Sequence, residues 1–323
     1  MILIFLLINL LLFTNCLKYC KIKLILRIGD VIIVNYFKKI ILSIFVLFCF
    51  TGCSFKSDDM EDINIYTTIY PINYLLDVLY GKHSHIYSIY PLGVDLSSYK
   101  LSDRKIKEYS NSDLFVFNSL DEKRDRDYAV KMINNNSKLK VIDVSTGMSY
   151  TNDVKELWLN PYNYLMLAEN IEAGLSEYIN NPYLVEEIKD NFEKLEFDVS
   201  KIDADLTELV KNANYNTIVV DSDMFKYLEK YGLKVISLED NSNYSLNTLE
   251  EVKKLIKDNK IKYIYSTNEE SNSIVKDLIK NVGGELLVIN DMYSVDGNIS
   301  NSNDNYLTVM KNNISLFEKE LYK

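Results

Sequence analysis

Histidine and cysteine, the residues that most often hold metals or carry covalent catalysis, are scarce in this 323-residue chain, which has two of the first and four of the second. The histidines, His83 and His85, stand at i and i+2, a spacing that points both to one face of an extended segment. A lone imidazole pair is an incomplete metal site, and surface residues are the plainer reading. The cysteines, Cys16, Cys20, Cys49 and Cys53, all lie at or before residue 53, so the rest of the chain has neither a disulfide nor a thiolate metal site. No GxSxG, Walker, HExxH or GxGxxG motif occurs, and no nucleophile has a nameable base. What remains are serines, aspartates and amides at the ends of apolar runs. The clearest is PLGVDLSSYKLS (91–102), which reads as a ligand-binding loop closing a strand. A binding protein, not an enzyme, is expected.

The elements that must position such loops alternate. Ile63–Thr68, Ile86–Tyr90, Asp113–Asn118 and Lys140–Val144 read as strands, with helical patterns over Tyr74–Tyr80 and Asp103–Tyr109. A second set follows: strands Thr217–Val220, Lys234–Leu238, Ile261–Tyr265 and Glu285–Ile289, with helices Met224–Tyr231, Leu249–Asp258, Ser273–Val282 and Tyr306–Glu320. Alternation of this kind argues for mostly parallel sheets with helices on their faces. Between the sets, Ile188, Phe192, Leu195, Val199, Ile202, Leu206 and Leu209 form a narrow apolar seam with charged residues between them, the mark of one long helix. That seam suits either a coiled-coil oligomer or a rod packed along both halves of its own chain. The fold class is therefore α/β: two lobes, each a mostly parallel sheet flanked by helices, joined by one long rigid helix, with a binding cleft between the lobes where strand ends meet.

Charge and length agree with a two-lobed, exported protein. A chain of this length exceeds one ordinary domain. The formal net charge is -10, and because residues 1–52 hold six Lys and Arg against Asp30, a local +5, the remainder stands at -15. So acidic a surface repels nucleic acid. Residues 38–53, KKIILSIFVLFCFTGC, have the basic, apolar and small-residue order of an export signal, with an apolar run too short for a full membrane span of roughly 20 residues. The apolar run in residues 1–13 has no place ahead of a complete signal. Translation starting near Val34 would explain it, a first transmembrane helix is the rival, and sequencing of the precursor N-terminus decides between them.

Seven segments carry a resemblance. TTIYPINYLLDVLYG (67–81), PLGVDLSSYKLS (91–102), SDLFVFNSL (112–120), VIDVSTGM (141–148), LWLNPYNYLMLAENI (157–171), MFKYLEKYGLKVISL (224–238) and GGELLVIND (283–291) occur in the order and spacing of the zinc- and manganese-binding solute receptors of bacterial ABC importers. The resemblance covers roughly residues 63–320. The ending Phe50-Thr51-Gly52-Cys53 likewise resembles a lipobox, with Cys53 the lipidated first residue of the mature chain. The implied organisation is an extension and signal over 1–52, a tether over 53–62, lobes over 63–182 and 214–323, and a linking helix over 183–213. It further implies a monomer anchored by lipid to the outer face of the bacterial cytoplasmic membrane, with an importer permease as partner and a divalent cation, zinc or manganese, as cargo.

Carried over residue by residue, the family's three ligand histidines fall on Ser97, in Gly93-Val-Asp-Leu-Ser-Ser-Tyr99, on Glu156, two before Trp158, and on Ser222, before Asp223-Met-Phe-Lys-Tyr227. The family's carboxylate aligns with Asn290, one residue from Asp291. Two hydroxyls, an amide and a carboxylate are an all-oxygen set, and zinc favours nitrogen and sulfur donors, so tight zinc binding is not expected. Asp95, Asp221, Asp223 or Asp291 are candidates to add charge for a harder ion such as manganese or calcium, although each also reads as a turn or loop-capping residue. The alternative is a copy that binds no metal. It would take a small polar solute, with Tyr70 and Tyr99 nearby, or act as an adhesin or interaction lipoprotein.

Overall fold

The apolar runs and helical stretches alternate in space as they do in sequence. The structure, a computed structural model, describes residues 60–91, 93–96, 98–121, 123–241, 244–293 and 305–323. The expectations for residues 1–59, Cys53 and its export signal included, and for Ser97 lie outside these. The described residues fall within one compact unit.

The first sheet contains β1 (Ile63–Thr67), β2 (Ser84–Ser88), β3 (Leu114–Phe117) and β4 (Lys140–Asp143) in the order β2-β1-β3-β4, every pairing parallel. Helices α1 (Tyr70–Tyr80), α2 (Asp103–Tyr109) and α3 (Lys123–Asn135) connect the strands. The second sheet repeats the scheme with β5 (Thr217–Val220), β6 (Lys234–Ser237), β7 (Tyr263–Ser266) and β8 (Glu285–Val288) in the order β6-β5-β7-β8, again all parallel. A parallel central strand is covered on both faces, which is why Leu114-Phe-Val-Phe117 is apolar without alternation and wholly buried. In each sheet the chain reverses direction of travel between the two central strands, the place where open α/β sheets bind ligands.

Three departures from the sequence pattern have physical causes. Strand β2 begins at Ser84, not Ile86, because it pairs in register with β1 from Ile63↔Ser84 to Thr67↔Ser88; His85 therefore lies in the strand and His83 in the one-turn helix before it. Helix α3, which the pattern did not announce, buries only Asp125, Tyr128, Ala129 and Met132 from a charge-dense stretch, too thin a stripe to read against so many charges. The segment Asp223–Tyr231 is helical but of the tighter 3-10 form, ending at Gly232 with φ 103°, a left-handed geometry that glycine adopts without a Cβ penalty.

Between the lobes run α4 (Glu156–Leu159), α5 (Pro161–Tyr178) and α6 (Pro182–Lys211). Asn160 and Asn181 cap α5 and α6, each accepting from the second helical N–H, with Pro at the first helical position, the residue pair best suited to starting a helix. Helix α6 has 30 residues, hence a length of about 45 Å. Its seam packs against α1 and α5 on one side and against α9 (Tyr306–Leu321) on the other, so its own chain fills it. Ile188, Leu195, Val199, Ile202, Leu206 and Leu209 are buried there. Gly174 lets α5 approach β4 closely, since a Cβ there would lie 2.8 Å from the Ile142 side chain. The remaining helices, α7 (Leu246–Lys257) and α8 (Ser273–Asn281), cover the second sheet.

Candidate functional site

Three segments converge where the lobes face each other: the loop entering α4, the start of the 3-10 helix after β5, and the turn after β8. Aromatic packing brings them together. Trp158, fully buried, donates its indole N–H to the Asp291 carbonyl at 2.7 Å and stacks on Tyr293 at 5.8 Å with planes 5° apart. Tyr306 donates to the Trp158 carbonyl at 2.6 Å and stacks at 3.8 Å on Tyr164, with Tyr74 5.9 Å away on another side. Burial pushes Tyr74 up to about 12 and Tyr164 and Tyr306 well above the ordinary phenol range, so these rings stay neutral.

Of the residues that the resemblance puts at ligand positions, Glu156, Ser222 and Asn290 are described, and each is engaged within the protein. Glu156 is 6% exposed, and its carboxylate accepts from the Thr151 N–H at 3.3 Å, the Asn152 N–H at 3.1 Å and the Asn152 side-chain amide at 2.7 Å. It thereby closes the loop that leads into α4. Ser222 caps the 3-10 helix by accepting from the Met224 N–H at 3.3 Å, with its hydroxyl 3.4 Å from Glu239. Asn290 turns its side-chain oxygen onto the Met292 N–H at 2.8 Å, while Asn313 bonds its backbone on both sides. That turn supports the positive φ of 56° at Met292.

The auxiliary carboxylates divide. Asp95 accepts from the Ser98 hydroxyl at 2.9 Å within its own loop. Asp223 pairs with Lys226 at 2.9 Å and accepts from Asn241 at 3.0 Å. Burial works against its charge, but Ser237, Lys226 and Asn241 outweigh it and hold the carboxyl below the usual range. Burial raises Asp221 despite a 2.7 Å bond from Ser271. Asp291 alone turns toward the opposite lobe: it meets Lys155 at 2.7 Å and accepts from the Tyr293 N–H at 3.0 Å.

Lys155, which the sequence reading passed over, bridges to Asp291 at this point. Its ammonium also lies 5.4 Å from the centre of the Tyr293 ring, and the Tyr293 hydroxyl donates to Asp121 at 3.1 Å. Burial disfavours the charged amine, but Asp291, Asp153 and Asp121 together hold it above the ordinary lysine range. The signal was available, since Lys155 immediately precedes Glu156, which that reading singled out.

On the other wall, the loop after β2 is fixed by α3. Arg124 donates to the carbonyls of Leu96 and Tyr99, the latter at 3.0 Å. Tyr90 bonds Asp125, and Tyr128 accepts from the Leu101 N–H at 2.9 Å. Between this loop, Thr68, Tyr70 and Tyr293 lies a small pocket. Tyr99 is held by Lys105 at 3.2 Å. The histidines sit at the far end of the sheet, each on its own carboxylate: His83 at 3.0 Å from Glu187 on α6, His85 at 3.0 Å from Asp62. Among the described residues no group of three or more His, Cys, Asp and Glu side chains is arranged to hold a metal.

Comparison with known proteins decides the family. The model of "Zinc-uptake complex component A periplasmic" (ZnuA) matches residues 65–320. The chain belongs to the ZnuA family. Among curated ZnuA-like relatives, the zinc-binding lipoprotein AdcA of Streptococcus pneumoniae is 23% identical over 295 residues, covering 83% of this chain but 58% of that protein. The chain thus spans little more than half of that relative. The manganese ABC transporter substrate-binding lipoprotein PsaA of Streptococcus anginosus is 24% identical over 266 residues, covering 75% of this chain and 84% of that one. The crystal structure of the Zn(II)-bound ZnuA-like domain of S. pneumoniae AdcA superposes with a TM-score of 0.66 at 23% identity, over 81% of this chain and all of that one. At that identity the superposition shows the shared fold. No described helix is long and apolar enough to cross a membrane.

Proposed function

We propose that this chain is the extracytoplasmic solute-binding receptor of a metal-ion ABC importer, a monomer anchored through lipid on Cys53, and that its cleft holds zinc and manganese weakly or not at all. The receptor reading is supported by the family match over residues 65–320 and by the two-lobed fold. The weak-site reading rests on one observation: Glu156, the one carboxylate at a family ligand position, has its oxygens engaged by three donors of the 151–152 segment. A metal ion taking those oxygens would strand backbone N–H groups, each costing about 1–3 kcal/mol. Ser97, Ser222 and Asn290 offer neutral oxygens, which do not replace that charge. The lobes are read as 63–182 and 214–323 with the linking helix between, and Asp95, Asp223 and Asp291 as supports of the cleft, not as ligands.

Calorimetric titration with zinc and with manganese, with elemental analysis of the protein as purified, tests the weak site. Tight stoichiometric binding that Glu156→Ala abolishes would refute it. Cross-linking of the anchored chain in its own cells tests the receptor role: capture of an importer permease supports it, and capture of other surface proteins without a permease would refute it. The second reading, an interaction lipoprotein that carries no cargo, is favoured by the engagement of Glu156, Ser222 and Asn290 within the protein itself. Mass spectrometry of the mature N-terminus checks the anchor, which requires a diacylated Cys53.

A further inference from the structure

We infer that the layer formed by α2 and α3 is a membrane-docking face: its basic side chains, with Val130 and Ile133 among them, rest on the anionic headgroups of the lipid surface to which Cys53 ties the chain. The inference goes beyond the receptor reading and shares with it only the lipid anchor.

Charge is the first observation. Residues 53–323 stand at -15, yet α2 and α3 together hold seven Lys and Arg against four Asp and Glu, a local +3, and all three arginines after residue 53, Arg104, Arg124 and Arg126, lie on them. Arg104, Lys107, Lys123, Arg126 and Lys131 are exposed. Among the described residues Arg104, Lys107 and Arg126 are in no ion pair, and the surface acids of the layer are Glu108, Asp127 and Asp103, which Lys131 meets at 3.7 Å.

Shape and position are the second and third. Helix α3 turns Asp125, Tyr128, Ala129 and Met132 inward, so Lys123, Arg126, Val130 and Ile133, at i, i+3, i+7 and i+10, share another side of it. Val130 and Ile133 are 54% and 41% exposed. Basic side chains beside exposed aliphatic ones suit a helix lying in a headgroup layer. The course of the chain favours lipid over an acidic protein. Met60 joins this lobe beside the end of α3: the Lys140 ammonium, at the start of β4, lies 2.9 Å from the Met60 sulfur, and Asn136 ties the ends of the two helices by donating to the Ser110 carbonyl at 2.7 Å. From Cys53 to Met60 the chain spans at most about 25 Å, so a lipid on Cys53 keeps this edge of the layer near the bilayer. Screening confines the attraction to about 8–10 Å. The face that touches therefore decides the sign, and the acidic remainder is turned away.

The test uses the full-length chain purified from its own membranes and added to vesicles of phosphatidylglycerol or of phosphatidylcholine. No cysteine follows Cys53, so Val130→Cys puts one reactive thiol on α3, and Leu246→Cys, at a position 76% exposed on α7, puts one on the other lobe. Flotation reports the anchor, and quenching of a fluorophore on the thiol by lipid brominated near the headgroup reports the face. The label at 130 is expected to be quenched in phosphatidylglycerol, not in phosphatidylcholine nor in molar salt, and the label at 246 in neither lipid. Each basic side chain near an anionic surface strengthens association about fivefold, so Arg104→Glu, Lys107→Glu and Arg126→Glu together should abolish the quenching while flotation persists. The salt series, which needs none of these three changes, decides the matter if that variant misfolds. Quenching at 130 equal to that at 246, or indifferent to lipid charge and salt, overturns the proposal, as does cross-linking of position 130 to an acidic protein in cells by a chain that vesicles do not quench. A chain that fails to float overturns the anchor and this face with it, and leaves the cargo of the cleft to the metal titrations.

Discussion

The lobes are joined at two places of opposite chemistry. At one, Tyr306 of the second lobe stacks on Tyr164 and donates to the Trp158 carbonyl. At the other, Lys155 meets Asp291 while both are still partly open to solvent, their side chains 21% and 18% exposed. The aromatic junction cannot part without wetting large rings, whereas the ionic one is a partly solvated pair with the Trp158–Asp291 bond and the Trp158–Tyr293 stack beside it. Stability therefore resides mainly in the first.

Mutations can break or sharpen that contrast. Tyr306→Ala should cost about 3–5 kcal/mol in urea denaturation, the usual effect of deleting a buried aromatic ring, and a cost near zero would remove the aromatic junction from the account. Glu156→Ala should cost about 2–4 kcal/mol, because two backbone N–H groups and an amide lose a charged acceptor, with no change in zinc titration. Lys155→Met should cost less, about 1–3 kcal/mol, since partial exposure lowers the usual effect of breaking a buried pair. Its cost should also shrink in molar salt, whereas that of Tyr306→Ala should not. Tyr306→Phe, which keeps the ring and loses one hydrogen bond, should cost about 1 kcal/mol.

The smallest effect is expected at the far end of the sheet. Lys82 first, then His83, hold Glu187 below the ordinary carboxylate range. A depressed carboxyl stabilises the fold above its unfolded pKa, and that contribution is lost as pH falls through the folded value. For so exposed a group it amounts to about 0.5 kcal/mol or less. Comparing acid denaturation of Glu187→Gln with wild type would show the two curves merging at low pH.

Much of the fold was legible because strand and helix periods are local. The apolar runs within β3, β5 and β8 and the seam from Ile188 to Leu209 declare themselves without any partner. Helix α3 was not legible, since its burial is set by what Arg124, Tyr90 and Tyr128 do for the loop beside it. The candidate site was read only as positions. The motifs pointed to Glu156, Ser222 and Asn290, but side-chain type does not state whether an oxygen points outward or at its own backbone.

The sequence by itself determined the two α/β lobes, the linking helix and the acidic balance, because each is written in composition or short-range spacing. Only the tertiary structure decided that the helix seam is filled by its own chain, that Glu156 caps its own loop, and that Lys155 reaches Asp291, 136 positions away. Partners so far apart in sequence are chosen by packing, and here the packing is that of Trp158, Tyr293 and Tyr306.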